Sequence, residues 1–363
     1  MSRIDEFWMA RCLHLAKLGA GSVSPNPLVG AVLVKNGKKL SEGYHRLHGG
    51  AHAEINAINQ ALSKKKKLIG STLYVNLEPC FHFGKTPPCV DEILKHGIVR
   101  IVVATKDPNP LVAGKSIKKL KRNGVECLIG ILQHDAERLN EKFFAFIKTG
   151  RPFIALKAAQ TSDGFIAKTD GTSRWITNNQ SRKHVHQLRS EYDAVIVGAN
   201  TVRIDDPELT VRSINRRNPL RVVIDGKLSV ELNRKIFNTK APTIVYTSNN
   251  LTTKEQNKIN HLEKKGIVVI QMDNSKGIIK IKDVIKDLGK HQIESVLVEG
   301  GQKMFSEFFN SGLVNKVYLF TAKKRYGAGL KTFDNNSKPL TLQKFSRIIF
   351  GTDILEEFYI RKT

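Results

Sequence analysis

Two thiols share one short stretch, LEPCFHFGKTPPC (77–89), in which eight residues separate Cys80 from Cys89. Zinc sites built on a cysteine pair ordinarily space the two by roughly two to four residues. Upstream, HAE places His52 and Glu54 at the start of a segment that reads as a helix. Soft thiolates with one imidazole suit Zn2+, and three metal ligands, His52, Cys80 and Cys89, leave a fourth tetrahedral position open. A structural zinc would close that position with a fourth ligand. An open position beside a carboxylate instead activates water near neutral pH. Glu54 is then the candidate catalytic residue, shuttling a proton from water to a leaving amine. Cys89, in the first turn of a helix, feels the positive end of the helix dipole, which favours a thiolate there. The competing reading is a chance grouping of core cysteines with a satisfied histidine. His48 and His82 read as loop residues or substrate contacts, and Cys12 and Cys127 as small core residues.

These side chains need elements to hold them. The apolar spacing predicts an amphipathic helix from Ile4 to Gly19, a strand from Val29 to Val34, a helix over 52–62 and a strand over 71–77. A helix over 89–97, a strand over 98–105, a basic helix near 115–123, a strand at 125–130 and a helix over 135–148 follow. The alternation implies an α/β layered domain with a largely parallel sheet. KTGRPF (148–153) stops the last helix and reads as a domain boundary, giving domains 1–148 and 149–363. The alternation then restarts, with strands at 153–159, 193–199, 221–225, 243–248, 267–272, 295–301 and 316–320, a helix at 178–190, another reaching about 311, and a closing strand in DILEEFYIRK.

Composition sets the outer bounds. At 363 residues two domains are the default, and 40% hydrophobic with 25% charged residues is the balance of a globular protein in water. No stretch reaches the ~20 apolar residues that span a bilayer, and the charged N-terminus is no signal peptide, so no membrane is expected. Four cysteines do not make a disulfide framework, which points to the cytoplasm. The formal charge of +26 is spread along the chain as lysine-rich faces. A nucleic-acid deaminase is the rival it favours; that reading predicts a tight cysteine pair and aromatic-rich basic surfaces, against the wide spacing and 7% aromatics here.

H-x-E followed by P-C and a second cysteine is the pattern of the zinc-dependent nucleobase deaminases. More specifically, SPNPLVGAVLV, GAHAEINAI, LYVNLEPCFHFGKTPPCVDEI and KDPNPLVAGKSIKKLKRNGV resemble the deaminase half of the bifunctional riboflavin-biosynthesis family RibD, in which the wide cysteine spacing is the rule. LKAAQTSDGFIA, GTSRWIT, VGANTVRIDDPELTVR and LVEGGQKMFSEFF resemble its reductase half, in the family's order. The resemblance implies a cytidine-deaminase-like domain followed by a dihydrofolate-reductase-like domain, with Zn2+ and NADPH as cofactors. It implies hydrolytic deamination of 2,5-diamino-6-(5-phosphoribosylamino)pyrimidin-4-one, then reduction of the product's ribose to ribitol. It also implies a homo-oligomer and a small phosphorylated pyrimidine, not nucleic acid, as partner.

Carried over by matching position, Asn26, His82 and Lys85 contact the first substrate. Ala159, Trp175, Thr201, Asp205, Gly226 and the run Gly301, Gln302, Lys303, Met304, Phe305, Ser306 and Glu307 hold NADP. Ser173, Arg189, Leu209, Arg212 and Glu299 hold the second substrate. The residue chemistry suits these roles. Backbone N–H groups of Gly301 and Gln302 at a helix start can bind a phosphate, although the same residues also suit a plain strand-to-helix turn. Trp175 offers a ring a flat surface or is a core tryptophan. Arg189 and Arg212 can grip a phosphate or form ion pairs. No proton donor for the reduction is evident, and the G-x-G-x-x-G fingerprint is missing.

Overall fold

The computed structural model describes residues 2–81, 88–110, 112–212, 214–273, 278–333 and 342–360. The chain divides into two compact units, Met1–Gly150 and Arg151–Thr363. Among the described residues no helix is long and apolar enough to cross a membrane.

The first unit runs α1 (Arg3–Lys17), β1 (Gly30–Lys35), β2 (Lys38–Tyr44), α2 (Ala53–Ser63), β3 (Thr72–Leu77), α3 (Cys89–Lys95), β4 (Arg100–Thr105), α4 (Lys115–Arg122), β5 (Glu126–Ile129), α5 (Gln133–Leu139) and α6 (Glu141–Thr149). The sheet order is β2-β1-β3-β4-β5. Strand periodicity sends alternate side chains to opposite faces. Leu33, Leu73, Val75 and Ile101 pack with Ala57 and Ile58 of α2 and Ile93 of α3. Val32, Tyr74 and Val102 pack on the other face with Met9 and Cys12 of α1 and Ala136 of α5. The result is a three-layer α/β/α unit.

Two expectations are corrected here. The sheet is mixed, because β1 runs antiparallel to both β2 and β3, and only β3, β4 and β5 are parallel. KKLSEGY hides its strand character because β2 is an edge strand with much of its surface exposed. The helix expected over 135–148 is two helices broken at Asn140, whose side chain accepts from the Leu28 N–H at 2.7 Å and donates to its carbonyl at 2.9 Å. A close approach sets the height of α2. A Cβ at Gly43 would lie 2.5 Å from the Ala57 nitrogen and 2.7 Å from the Ala53 oxygen, so only glycine lets helix and strand backbones meet.

The second unit contains β6 (Phe153–Thr161), β7 (Phe165–Ala167), α7 (Asn179–Glu191), β8 (Ala194–Gly198), α8 (Ala199–Asp205), β9 (Leu220–Ile224), β10 (Thr243–Ser248), α9 (Thr253–Lys264), β11 (Val268–Met272), α10 (Ile281–Lys290), β12 (Ser295–Val298), α11 (Gln302–Asn310), β13 (Lys316–Ala322), β14 (Leu330–Lys331), β15 (Leu342–Phe350) and β16 (Asp353–Ile360). Nine strands form one sheet in the order β11-β10-β9-β8-β12-β6-β13-β16-β15, while β7 pairs with β14. The sheet is parallel from β11 to β13 and closes with antiparallel β16 and β15. Buried on both faces, the central parallel strands β8, β9, β10 and β12 read as apolar runs. The strand expected over 295–301 stops at Val298, because Glu299 to Gly301 form the turn into α11.

Candidate active sites

Three elements of the first unit deliver the sulfur and imidazole donors. His52 caps the N-terminus of α2, Cys80 leaves the end of β3, and Cys89 opens α3. His52 Nδ1 lies 3.5 Å from Cys80 Sγ and 3.3 Å from Cys89 Sγ, and all three donor atoms fall within 4.8 Å of one another. The Cys89 backbone N–H donates to Cys80 Sγ at 3.2 Å. Hydrogen bonding from Cys89, outweighing burial, and then from His52 pulls the Cys80 thiol down to about 4. The same contact with Cys80, followed by burial, pushes Cys89 well up. The N–H at the start of α3 thus serves the neighbouring sulfur of Cys80.

Glu54 sits in the first turn of α2 and is only 2% exposed. Burial raises its pKa, with His52 opposing. Its Oε2 is buried with no hydrogen-bond partner among the described residues. Two sulfurs and an imidazole nitrogen fit Zn2+, and an orphaned carboxylate oxygen beside them fits the acceptor that an activated water requires.

A cavity of about 310 Å3 opens on this group and is also lined by Asn26, His45, His48, Asp107 and Asn109. Asn26 Nδ2 donates to His45 Nε2 at 3.0 Å, while His45 Nδ1 donates to the Ala51 carbonyl at 3.1 Å. These partners fix the His45 tautomer, and burial lowers its pKa, favouring the neutral ring.

In the second unit a charged cluster forms where β6, α7 and the turn after β12 meet. Arg189 donates to both oxygens of Glu299, at 2.6 and 2.9 Å, and to the Thr210 carbonyl at 3.2 Å. Lys157 Nζ stands 3.6 Å from Glu299 Oε2. Burial alone would raise the Glu299 carboxyl, yet Arg189 and then Lys157 hold it at about 2. Ser173 donates to the Asp205 carboxylate at 3.1 and 3.3 Å. Trp175 is 61% exposed, with the Arg182 guanidinium 4.7 Å from its ring centre.

The start of α11 offers a cradle. Gly301 caps the helix and, having no side chain, makes no cap bond to its first-turn N–H groups. A Cβ on Gly301 would meet only Thr201 Oγ1, at 3.7 Å. Met304 fills the space over Gly198 and Gly300, where a Cβ would lie 2.7 and 2.6 Å from its side chain. An open glycine at a helix N-terminus beside a threonine hydroxyl fits a dinucleotide phosphate.

Comparison with known proteins bears on both units. Residues 2–105 match the cytidine and deoxycytidylate deaminase zinc-binding region, and residues 152–355 match the RibD C-terminal domain. The riboflavin biosynthesis protein RibD of Aquifex aeolicus is 46% identical over 91% of this chain and 90% of its own length. The chain belongs to the RibD family. RibD of Escherichia coli is 36% identical, with 89% of each chain covered. A Thermotoga maritima crystal structure, a diaminohydroxyphosphoribosylaminopyrimidine deaminase/5-amino-6-(5-phosphoribosylamino)uracil reductase, superposes with a TM-score of 0.87 at 38% identity over 99% of both chains. Acinetobacter baumannii RibD superposes at 0.88 with 33% identity and the same coverage. As a RibD, the chain is a bifunctional enzyme of riboflavin biosynthesis, a zinc-dependent deaminase joined to an NADPH-dependent reductase of dihydrofolate-reductase-like fold.

The structure gathers some of the residues read from the sequence and separates others. His52, Glu54, Cys80 and Asn26 line the first cavity, and Cys89 joins His52 and Cys80 in the donor group. His82 and Lys85 lie outside the described residues. In the RibD reductase unit the run from Gly301 to Glu307 is the first turns of α11, and Phe305 and Ser306 turn into the core at 2% exposure. The guanidinium fork of Arg189 is engaged by Glu299, and Arg212 pairs with Glu208 at 2.8 Å. Leu209 is buried in a left-handed conformation with φ 51°. Ala159 lies in β6, and Gly226 follows β9, its carbonyl accepting from Ser248 at 3.2 Å.

Sequence reasoning missed His45 and Lys157. A charged residue inside the apolar strand FIALKAA was the available signal for Lys157.

Proposed function

We propose that residues 1–148 deaminate 2,5-diamino-6-(5-phosphoribosylamino)pyrimidin-4-one and that residues 149–363 reduce the resulting 5-amino-6-(5-phosphoribosylamino)uracil with NADPH. The observation that carries the first step is the orphaned Glu54 oxygen beside three converging metal donors in a cavity sized for one small substrate. His52, Cys80 and Cys89 would hold Zn2+, which supplies Lewis acidity that activates water near neutral pH. Glu54, whose pKa burial raises, accepts the proton at its carboxylate and returns it to the leaving amino nitrogen. Asn26, steadied by His45, orients the pyrimidine.

In the reductase unit, the α11 N-terminus with Gly301 and Thr201 seats the cofactor phosphates, and NADPH supplies the hydride. Glu299 receives ribose hydroxyls while Arg189 fixes its carboxylate. Lys157 is the proton source for the ribose oxygen: burial lowers its pKa, with Glu299 opposing, and so eases proton release. With Zn2+ bound, both Cys80 and Cys89 would be thiolates, since coordination displaces the thiol proton, and a reducing cytoplasm preserves them. As the family resemblance implies, the active form is a homo-oligomer.

The test is Glu54→Gln. Zinc content should be unchanged while ammonia release from the diaminopyrimidine falls by ~10²-fold or more. Undiminished ammonia release would refute the role of Glu54. NADPH oxidation with the deaminated substrate tests the second step, and the absence of oxidation would refute it. The charge of +26 favours RNA as an alternative substrate. Tight, steeply salt-dependent RNA binding would support that reading.

A further inference from the structure

We propose that Glu78 is a positioning residue of the deaminase pocket, whose carboxylate fixes the wall formed by residues 107–110 and 112–117 relative to the strand end that carries Cys80. The inference rests on the deaminase reading of that cavity. Glu78 leaves β3 two residues before Cys80, and its N–H donates to the Thr105 carbonyl at the end of β4 at 3.0 Å. The residue is 3% exposed, yet its side chain is an acid. Buried carboxylates are retained only where donors surround them, and four donors converge on this one. Oε1 accepts from Ser116 Oγ at 2.6 Å and the Ile117 N–H at 3.5 Å. Oε2 accepts from the Gly114 N–H at 2.9 Å and the Asp107 N–H at 3.3 Å.

The origin of those donors gives the contact its meaning. α4 starts at Gly114 with no side-chain cap and no acidic residue in its first turn, although its sequence is KSIKKLKR. Glu78 supplies from another element the negative group that this helix terminus lacks. Between the donors at Asp107 and Gly114 lie Asn109 and Val112, which line the cavity together with Asp107 and Glu78 itself. One buried carboxylate thus joins the ligand-bearing turn to the facing wall, and neither His52 nor Glu54 takes part. Releasing it moves the wall against which substrate rests and leaves the reacting groups in place.

Glu78→Gln tests this, because the amide keeps the shape but turns an N–H toward donors. The expected result is a rise of about tenfold in the KM for deamination, the size expected for weakening a buried charged hydrogen bond. Turnover number, bound zinc and NADPH oxidation should be unchanged. Hydrogen–deuterium exchange across 107–117 should accelerate. Ser116→Ala, which removes a single bond, should give the same split at smaller amplitude and covers the case in which the glutamine variant fails to fold. A lower melting temperature with KM and exchange both unchanged would overturn the proposal, as would loss of zinc with a fallen turnover number. The exchange measurement needs no substrate, so it decides the tie even if the assigned substrate is wrong, whereas failure of the wild type to release ammonia would count against the deaminase reading alone.

Discussion

Glu299 is held from two sides, by the two-point bond from Arg189 at 2.6 and 2.9 Å and by Lys157 Nζ at 3.6 Å. All three side chains are largely buried. Removing Glu299 leaves two cations facing each other away from water. Glu299→Gln should therefore destabilise the reductase unit by ~3–5 kcal/mol. Calorimetry of the full chain should show the transition of that unit falling while ammonia release at a lower temperature persists.

Lys157 separates binding from chemistry. Lys157→Met should lower the turnover of NADPH oxidation by ~10²-fold or more, the usual size of a lost general acid. Fluorescence titration should show NADPH still bound. Because burial depresses the lysine pKa, the wild-type rate should fall as pH rises through that depressed value, where the amine loses its proton. A variant with undiminished turnover would exclude Lys157 as the acid.

Metal removal should divide the two activities. Dialysis against a chelator should abolish ammonia release and leave NADPH oxidation of the deaminated substrate intact, since the three converging donors lie within the first unit. Added Zn2+ should restore deamination. Parallel loss of both activities would contradict this division.

Glu294 predicts a pH dependence of stability. Burial, followed by the nearby Asp193, pushes its carboxyl up to about 8. The folded state then binds a proton that the unfolded chain has released. Stability from this group is complete below the ordinary glutamate range, around 4.5, and drains away as pH rises toward 8. Urea unfolding at pH 5 and pH 8 should show a smaller loss in Glu294→Gln than in the wild type.

Much of this was legible in the sequence, for reasons of chemistry. H-x-E and the P-C step fix residue types that few other arrangements need, so His52, Glu54, Cys80 and Cys89 could be read as one group. That the Cys89 N–H donates to Cys80 Sγ could not be read, because it depends on how α3 starts beside the end of β3. Apolar runs revealed the central strands, whereas β2, with exposed lysines, and β15, exposed along most of its length, carry no such signal. The amphipathic helices α9 and α10 escaped notice beneath their lysines. The pairing of Arg189 with Glu299 could not be read, because the two lie 110 residues apart in sequence.

The bare Oε2 of Glu54 has a consequence for adaptation. Burying a carboxylate at 2% exposure costs the fold desolvation free energy, and replacing Glu54 with an apolar side chain of similar volume relieves that. Screens for heat resistance alone should then collect substitutions at this position, and every one of them should be a dead deaminase. At residue 54, durability and turnover pull in opposite directions.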